Sequence, residues 1–222
     1  MFFMRILLLC AALWLYIADR DMLDFTAMPY QLPGGLVLWA AWLLLAVDML
    51  FRLIPNTRIP IGARKHFACS YLEAPEPKNV SAALARLHKG ALAGAAFWVV
   101  LNVAVFSLLF ALNMLAPPAA FTLMLFYSVC DHVCISVFCP FQTFFMHNRC
   151  CTVCRIYNWD YPMMCTPMIL FPSVYSLSLF LLSVAVLLRW EAAVKKNPRF
   201  FMEETNENLS CGKCKNRNCR WS

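Results

Sequence analysis

Five long apolar stretches constrain this sequence more than any other feature. A transmembrane helix needs about 20 predominantly apolar residues to cross roughly 30 Å of hydrocarbon. The stretches that approach this length cover residues 2–18, 35–54, 91–115, 119–139 and 165–188. They predict an all-α, polytopic membrane helix bundle of about five transmembrane helices, forming one domain over residues 1–190. Residues 191–222 would then be a basic, Cys-rich tail.

The composition favours the same class of protein. Residues of the AVILMFWYC set make up 62% of the chain and charged residues only 14%, against about 25% charged residues in soluble chains. This balance excludes an ordinary soluble globule, a disordered chain and a nucleic-acid-binding domain with a broad basic face. We therefore expect a multi-pass protein of the cell membrane, with the lipid bilayer as its partner and no nucleic acid bound.

The first apolar stretch has two features of a secretory signal, a basic start at Arg5 and an apolar run. No small-x-small cleavage site follows it before Asp19. We expect the stretch to be retained as a membrane span.

The distribution of Lys and Arg predicts the orientation, because these residues are enriched in cytoplasmic loops. Residues 52–89 contain seven of them and residues 19–34 only one, so the 52–89 loop and the N-terminus should be cytoplasmic. Five crossings would then put the tail on the opposite side, although it too is basic. An alternative with four crossings and a re-entrant stretch at 119–139 brings the tail inside and places the 140–163 loop outside.

Seven of the twelve cysteines fall between residues 130 and 165. Cys151 and Cys154 form a C-x-x-C turn, a spacing typical of zinc sites, iron–sulfur clusters and redox dithiols. We predict that Cys150, Cys151 and Cys154 form the core of a zinc or iron–sulfur site at the membrane surface. Cys139 or Cys165 would complete it, because these residues end the fourth apolar stretch and begin the fifth.

The tail carries a second group of candidate ligands, Cys211, Cys214 and Cys219. Structural zinc is nearly always four-coordinate, so a fourth ligand would have to come from another segment or another subunit. Cys151 and Cys154 could in principle supply it. The apolar stretch between the two motifs is long enough for one crossing, which would put them on opposite faces and argues against a shared site.

Ionisable residues inside the fourth stretch are a further candidate. Asp131 and His132 lie near its middle, where a charged group is expensive unless it faces protein or a cavity. Asp48 and Asn102 are possible partners from other spans. Cys130 and Cys134, one helical turn apart, either share a metal or pack as small apolar residues.

Methionines near the fifth stretch offer soft ligands. Met163, Met164 and Met168, together with Cys165, could bind Cu(I). Methionine also serves as a flexible filler of apolar cores, which is the alternative interpretation.

One segment carries a resemblance. The run from His147 to Asp160, HNRCCTVCRIYNWD, together with the Cys-rich tail, resembles uncharacterised prokaryotic multi-pass membrane proteins. The resemblance implies a membrane fold over most of the chain and no activity, cofactor or substrate.

Three functions remain open from the sequence. The first is a membrane protein with a Cys-based metal or iron–sulfur site that handles electrons or metal. The second is a thiol–disulfide oxidoreductase that uses Cys151 and Cys154 with a quinone or a redox protein partner. The third is a structural or assembly subunit in a membrane complex. No nucleotide-binding or hydrolase motif is present, so whether the chain is an enzyme is open.

Overall fold

The fold is all-α, as predicted. The computed structural model describes residues 2–27, 30–53, 71–74, 79–147 and 154–210. Within these ranges the chain forms six α-helices, joined by short 3-10 and π-helical turns: α1 (Phe2–Asp19), α2 (Gly34–Leu53), α3 (Val80–Ala111), α4 (Pro117–Ser136), α5 (Asp160–Cys165) and α6 (Val174–Lys196).

Five of these helices are long and apolar enough to span a membrane, namely α1 with the turn that follows it, α2, α3, α4 and α6. Their outward faces carry large exposed apolar side chains such as Phe3, Ile17 and Phe110, which suits a lipid environment. The membrane prediction is therefore confirmed at the level of a helical membrane protein.

Local signals in the sequence explain where the helices begin. Pro117 and Pro118 occupy the first turn of α4, where a missing N–H costs no hydrogen bond. Ser173 and Ser176 form a reciprocal capping box at the start of α6. At α3 the cap is the side chain of Asn79, which accepts a hydrogen bond from the Ala82 amide.

Two span boundaries differ from the prediction. The 32 residues of α3 extend over about 48 Å, so its first turns project beyond a bilayer of roughly 30 Å. The span predicted for 165–188 begins only at Val174. The residues before it belong to α5 and to a 3-10 helix, Thr166–Leu170.

The second and the last long helices run parallel, which an alternating bundle of five helices would not allow. Near the start of both, the Tyr175 hydroxyl donates to the Leu38 carbonyl over 2.7 Å. Near the end of both, the Arg189 guanidinium donates to the Arg52 carbonyl over 3.4 Å. The chain must therefore return once more between α4 and α6.

The return is made by α5 and the 3-10 helix that follows. Six α-helical and five 3-10 residues cover roughly 19 Å, and the next residues lead into α6. The segment is enclosed by protein. The Trp98 indole donates a hydrogen bond to Thr166 over 3.2 Å, the Ser183 hydroxyl is within hydrogen-bond reach of the Cys165 sulfur, and Met168 is fully buried. Such enclosure is what non-standard helical backbone needs at membrane depth.

This topology brings one set of helix termini together. We call the end of the bundle where α1 and α3 begin and α2, α4 and α6 end the loop end. Ile135 near the end of α4 packs into the same apolar cluster as Trp190 near the end of α6. Arg5 at the start of α1 contacts Asp48 of α2 and Asp131 of α4.

The tail also lies at the loop end, so its predicted position opposite the 52–89 loop is wrong over residues 197–210. Glu73 and Asn206 form an isolated antiparallel bridge, with the Glu207 amide donating to the Leu72 carbonyl over 2.8 Å. The alternative with a re-entrant fourth stretch agrees with this position of the tail, but it is wrong about the fourth stretch and about the 140–163 loop. In the structure α4 runs its full length, and Cys154 packs in one cluster with Met202 of the tail.

Candidate functional site

A partly enclosed cavity of about 110 Å³ lies at the loop end, between α3, α4 and the segment that leads into α5. Its volume is well above the roughly 10–15 Å³ that one water needs. Two carboxylates, Asp131 and Asp160, face it, and aromatic rings complete much of its wall. Its sulfur-bearing residues are Cys130, Cys134, Cys139, Cys154, Met163 and Met164.

Two of the cavity cysteines contact each other. The thiols of Cys134 and Cys139 are within hydrogen-bond reach and form no disulfide. Cys134 lies in the last turn of α4, which ends at Ser136, and Pro140 starts a new helical turn just beyond. The chain therefore bends back at Cys139, whose sulfur also accepts a hydrogen bond from the Gln142 amide over 3.5 Å.

The cavity collects only part of the predicted ligand set. Cys139 and Cys154 both line it, whereas Cys165 is fully buried elsewhere, against Ser183 on α6. Within the described ranges, no three side chains of His, Cys, Asp or Glu converge on one point as metal ligands. The remaining predicted ligands lie outside the described residues, and their role stays a prediction: Cys150, Cys151, Cys211, Cys214 and Cys219.

Asp131 faces protein, and its nearest charged partner is Arg5, which was not among the partners expected from the sequence. Arg5 is 1% exposed and lies 2.6 Å from Asp48 and 3.5 Å from Asp131; it also donates to the Ser128 carbonyl over 3.0 Å. One buried guanidinium thus joins α1, α2 and α4. A lone basic residue within the first apolar stretch was the available signal.

The expected partners of this cluster behave differently. Asp48 is linked to Asp131 through Arg5, whose guanidinium contacts both carboxylates. Asn102 instead accepts a hydrogen bond from the Tyr127 hydroxyl over 3.1 Å. The imidazole Nδ1 of His132 lies 3.6 Å from Asp131, and its ring stacks on Phe2.

A second buried arginine, Arg52 at the end of α2, holds the other cavity carboxylate. Its guanidinium lies 3.0 Å from Asp160 and donates to the Asn158 amide oxygen over 2.6 Å. The rings of Tyr157 and Tyr161 cover it at 4.9 and 4.4 Å. Both cavity carboxylates are therefore paired with buried arginines from other helices.

A third arginine fixes the Cys-rich loop to α6. Arg155 makes a bidentate pair with Glu191, over 2.8 and 2.6 Å, and Trp159 donates to the same carboxylate over 2.7 Å. The Trp190 indole donates to the Arg155 carbonyl. The positive charge of Arg155 is therefore compensated by an ion pair.

The loop and the tail meet over the projecting turns of α3. Cys154 and Ile156 pack in one apolar cluster with Met202 and with small residues of α3, Ala83 and Ala91. Arg86 of α3 pairs with Glu204 of the tail. Cys154 of the loop motif and the tail segment that leads to Cys211 therefore lie at one end of the molecule.

No protein-family model, no curated protein and no solved structure matches the chain. The established features are those of the structure itself: five long apolar helices, an apolar outer surface and a cysteine-lined cavity at the loop end.

Proposed function

We propose that the protein is a multi-pass cell-membrane protein that binds zinc or an iron–sulfur cluster through the cysteines of its loop and its tail. The ligands would be Cys151 and Cys154 from the loop and Cys211 and Cys214 from the tail. Two C-x-x-C pairs supply the four thiolates that structural zinc and many clusters take.

The observation that carries this proposal is the common position of the loop and tail segments. Cys154 and Met202 share an apolar cluster, and the chain is described without interruption from there to Ser210, one residue before Cys211. The objection that a membrane crossing separates the two motifs therefore no longer applies. Bringing them together needs no rearrangement of the bundle.

The charge distribution supports a cytoplasmic position for this end. Lys and Arg are enriched in cytoplasmic loops, and both the 52–89 loop and the tail are basic. Residues 72–74 of the loop pair with residues 205–207 of the tail, which supports one common side for the two segments. The cytoplasm keeps thiols reduced, and the reduced thiolate is the form that binds metal.

Metal analysis and an absorption spectrum of anaerobically purified protein test the proposal. We expect close to one zinc or one cluster per chain, lost in Cys151→Ser/Cys154→Ser and in Cys211→Ser/Cys214→Ser. Cys10→Ser is the matched control, because Cys10 is exposed on α1 and lies outside both motifs. Full metal content in either double variant would end the proposal.

The same experiment addresses the alternative of a thiol–disulfide oxidoreductase. Metal-free protein with a reversible two-electron titration assigned to Cys151 and Cys154 would support that function instead. Metal-free protein without such a titration would leave the cysteines to a structural role in a membrane assembly.

A further inference from the structure

The cavity at the loop end has the ligand chemistry of a soft metal cation. Its wall combines four thiols with the thioethers of Met163 and Met164, and sulfur ligands of these two kinds favour soft metals, among them Cu(I), zinc and iron–sulfur clusters. Zinc would need about four ligands around one point, and no three His, Cys, Asp or Glu side chains of the described ranges converge in that way. Cu(I) is satisfied by two or three sulfur ligands.

Two of the thiols are already adjacent. Cys134 and Cys139 are within hydrogen-bond reach of each other, and both line the cavity. The bend between α4 and the turn that begins after Pro140 holds them together, so little chain rearrangement is needed to place both sulfurs on one ion. Met163 and Met164, on α5, line the same cavity.

We propose that this cavity binds one Cu(I) ion through the thiolates of Cys134 and Cys139, with a thioether of Met163 or Met164 as an additional ligand. Binding forms two Cu–S bonds and releases two thiol protons to solvent. No electron is transferred, because copper arrives as Cu(I). The resulting copper dithiolate carries one net negative charge.

The surrounding charges favour the entry of a cation. The carboxylates of Asp131 and Asp160 line the cavity, where they attract an incoming cation. Arg5 lies 3.5 Å from Asp131 and 2.6 Å from Asp48, and Arg52 lies 3.0 Å from Asp160, so three carboxylates face two guanidiniums and leave one net negative charge that attracts the cation. The cavity site uses none of the four cysteines of the proposed loop-and-tail site.

The test is a Cu(I) titration under anaerobic conditions against a chromogenic Cu(I) chelator, with the full chain in lipid nanodiscs. The background variant carries Ser at Cys150, Cys151, Cys154, Cys211, Cys214 and Cys219, so that the cysteines of the loop and tail cannot contribute. We expect this background to bind one equivalent of Cu(I). Adding Cys134→Ser/Cys139→Ser should abolish it, and adding Cys165→Ser, a buried cysteine outside the cavity, should leave it unchanged.

A second measurement covers the case in which the Cys134→Ser/Cys139→Ser variant fails to fold. Cu(I) bound to the background variant should protect Cys134 and Cys139, but not Cys10, from alkylation in peptide mass mapping. Copper X-ray absorption should show a first shell made only of sulfur, and Met163→Leu/Met164→Leu should weaken binding by about tenfold.

Three results would overturn the inference. One is a background variant that binds no Cu(I) although its helical content is native. Another is equal alkylation of Cys134 and Cys139 with and without copper. The third is a disulfide between these residues in protein whose thiols were trapped anaerobically in intact cells, which would identify the pair as a redox dithiol. Because zinc or iron content is measured separately, this failure is distinct from failure of the loop-and-tail site.

Discussion

Arg5 and Asp48 form an ion pair of 2.6 Å between the first two helices, with Arg5 almost fully buried. The second carboxylate in reach, Asp131 on α4, lies 3.5 Å away. A charge at this depth is tolerated only with compensation, so one arginine ties three helices together at the edge of the cavity.

Replacing Arg5 with Met should destabilise the protein by about 3–5 kcal/mol, because two carboxylates lose their common partner. Thermal unfolding in detergent measures the effect. Arg20→Met is the control: Arg20 is exposed in the turn after α1 and should change stability little. Arg5→Met combined with Asp48→Asn and Asp131→Asn should recover part of the loss. An unchanged unfolding temperature in Arg5→Met would contradict the structural role of the cluster.

The loop end should be accessible from a single side of the membrane. Glu73→Cys and Glu207→Cys should be labelled by a membrane-impermeant maleimide from the same side. The reason is that the backbone around Glu73 is hydrogen-bonded to the backbone around Glu207. Thr26→Cys, exposed between α1 and α2, should be labelled only from the other side. Labelling of Glu73→Cys and Glu207→Cys from opposite sides would exclude the extra return between α4 and α6.

Gly90 should be intolerant of a side chain. A Cβ at this position would lie 2.6 Å from the Phe145 carbonyl oxygen, which must then move away from α3. We expect Gly90→Ala to cost about 1–3 kcal/mol in the free energy of unfolding. Gly94, one turn along the same helix, is the matched control. A Cβ there meets its nearest neighbour at 3.5 Å, so Gly94→Ala should be neutral or stabilise α3 by about 0.5–1 kcal/mol. Equal effects of the two substitutions would argue against this packing.

The pair between Arg155 and Glu191 should hold the Cys-rich loop on α6. Glu191→Ala leaves the buried guanidinium and the Trp159 indole without their acceptor, and should destabilise the protein by about 1.5–3 kcal/mol. A double-mutant cycle with Arg155→Ala measures the coupling between the two side chains. Additive effects of the single substitutions would show that the pair is not an energetic link.

The spans were largely predictable from the sequence because membrane insertion depends on local apolar length. The stretch predicted at 35–54 is observed as Gly34–Leu53, and the one predicted at 119–139 as Pro117–Ser136. The same criterion of apolar length did not predict the return of the chain through residues 160–170. Pro162 and Pro167 interrupt it, and its helices are too short to cross a bilayer alone.

The candidate cavity was predictable only in its components. Cys139 and Cys154 were expected near a common site, and both line the cavity. Helical spacing placed Cys130 one turn from Cys134, and both line the cavity, but it did not predict the contact of Cys134 with Cys139. The reason is that α4 ends at Ser136, so the chain beyond it no longer follows helical periodicity.

The sequence by itself determined that the chain forms long apolar helices, because hydrocarbon tolerates only backbone whose polar groups are bonded locally. It also determined that cysteines concentrate around one loop and the tail. The tertiary structure decided which end of the bundle those segments share and which carboxylates meet Arg5 and Arg52. Those outcomes depend on contacts between residues far apart in the chain, since a buried charge is stabilised by whichever partner the packing of the helices brings within reach.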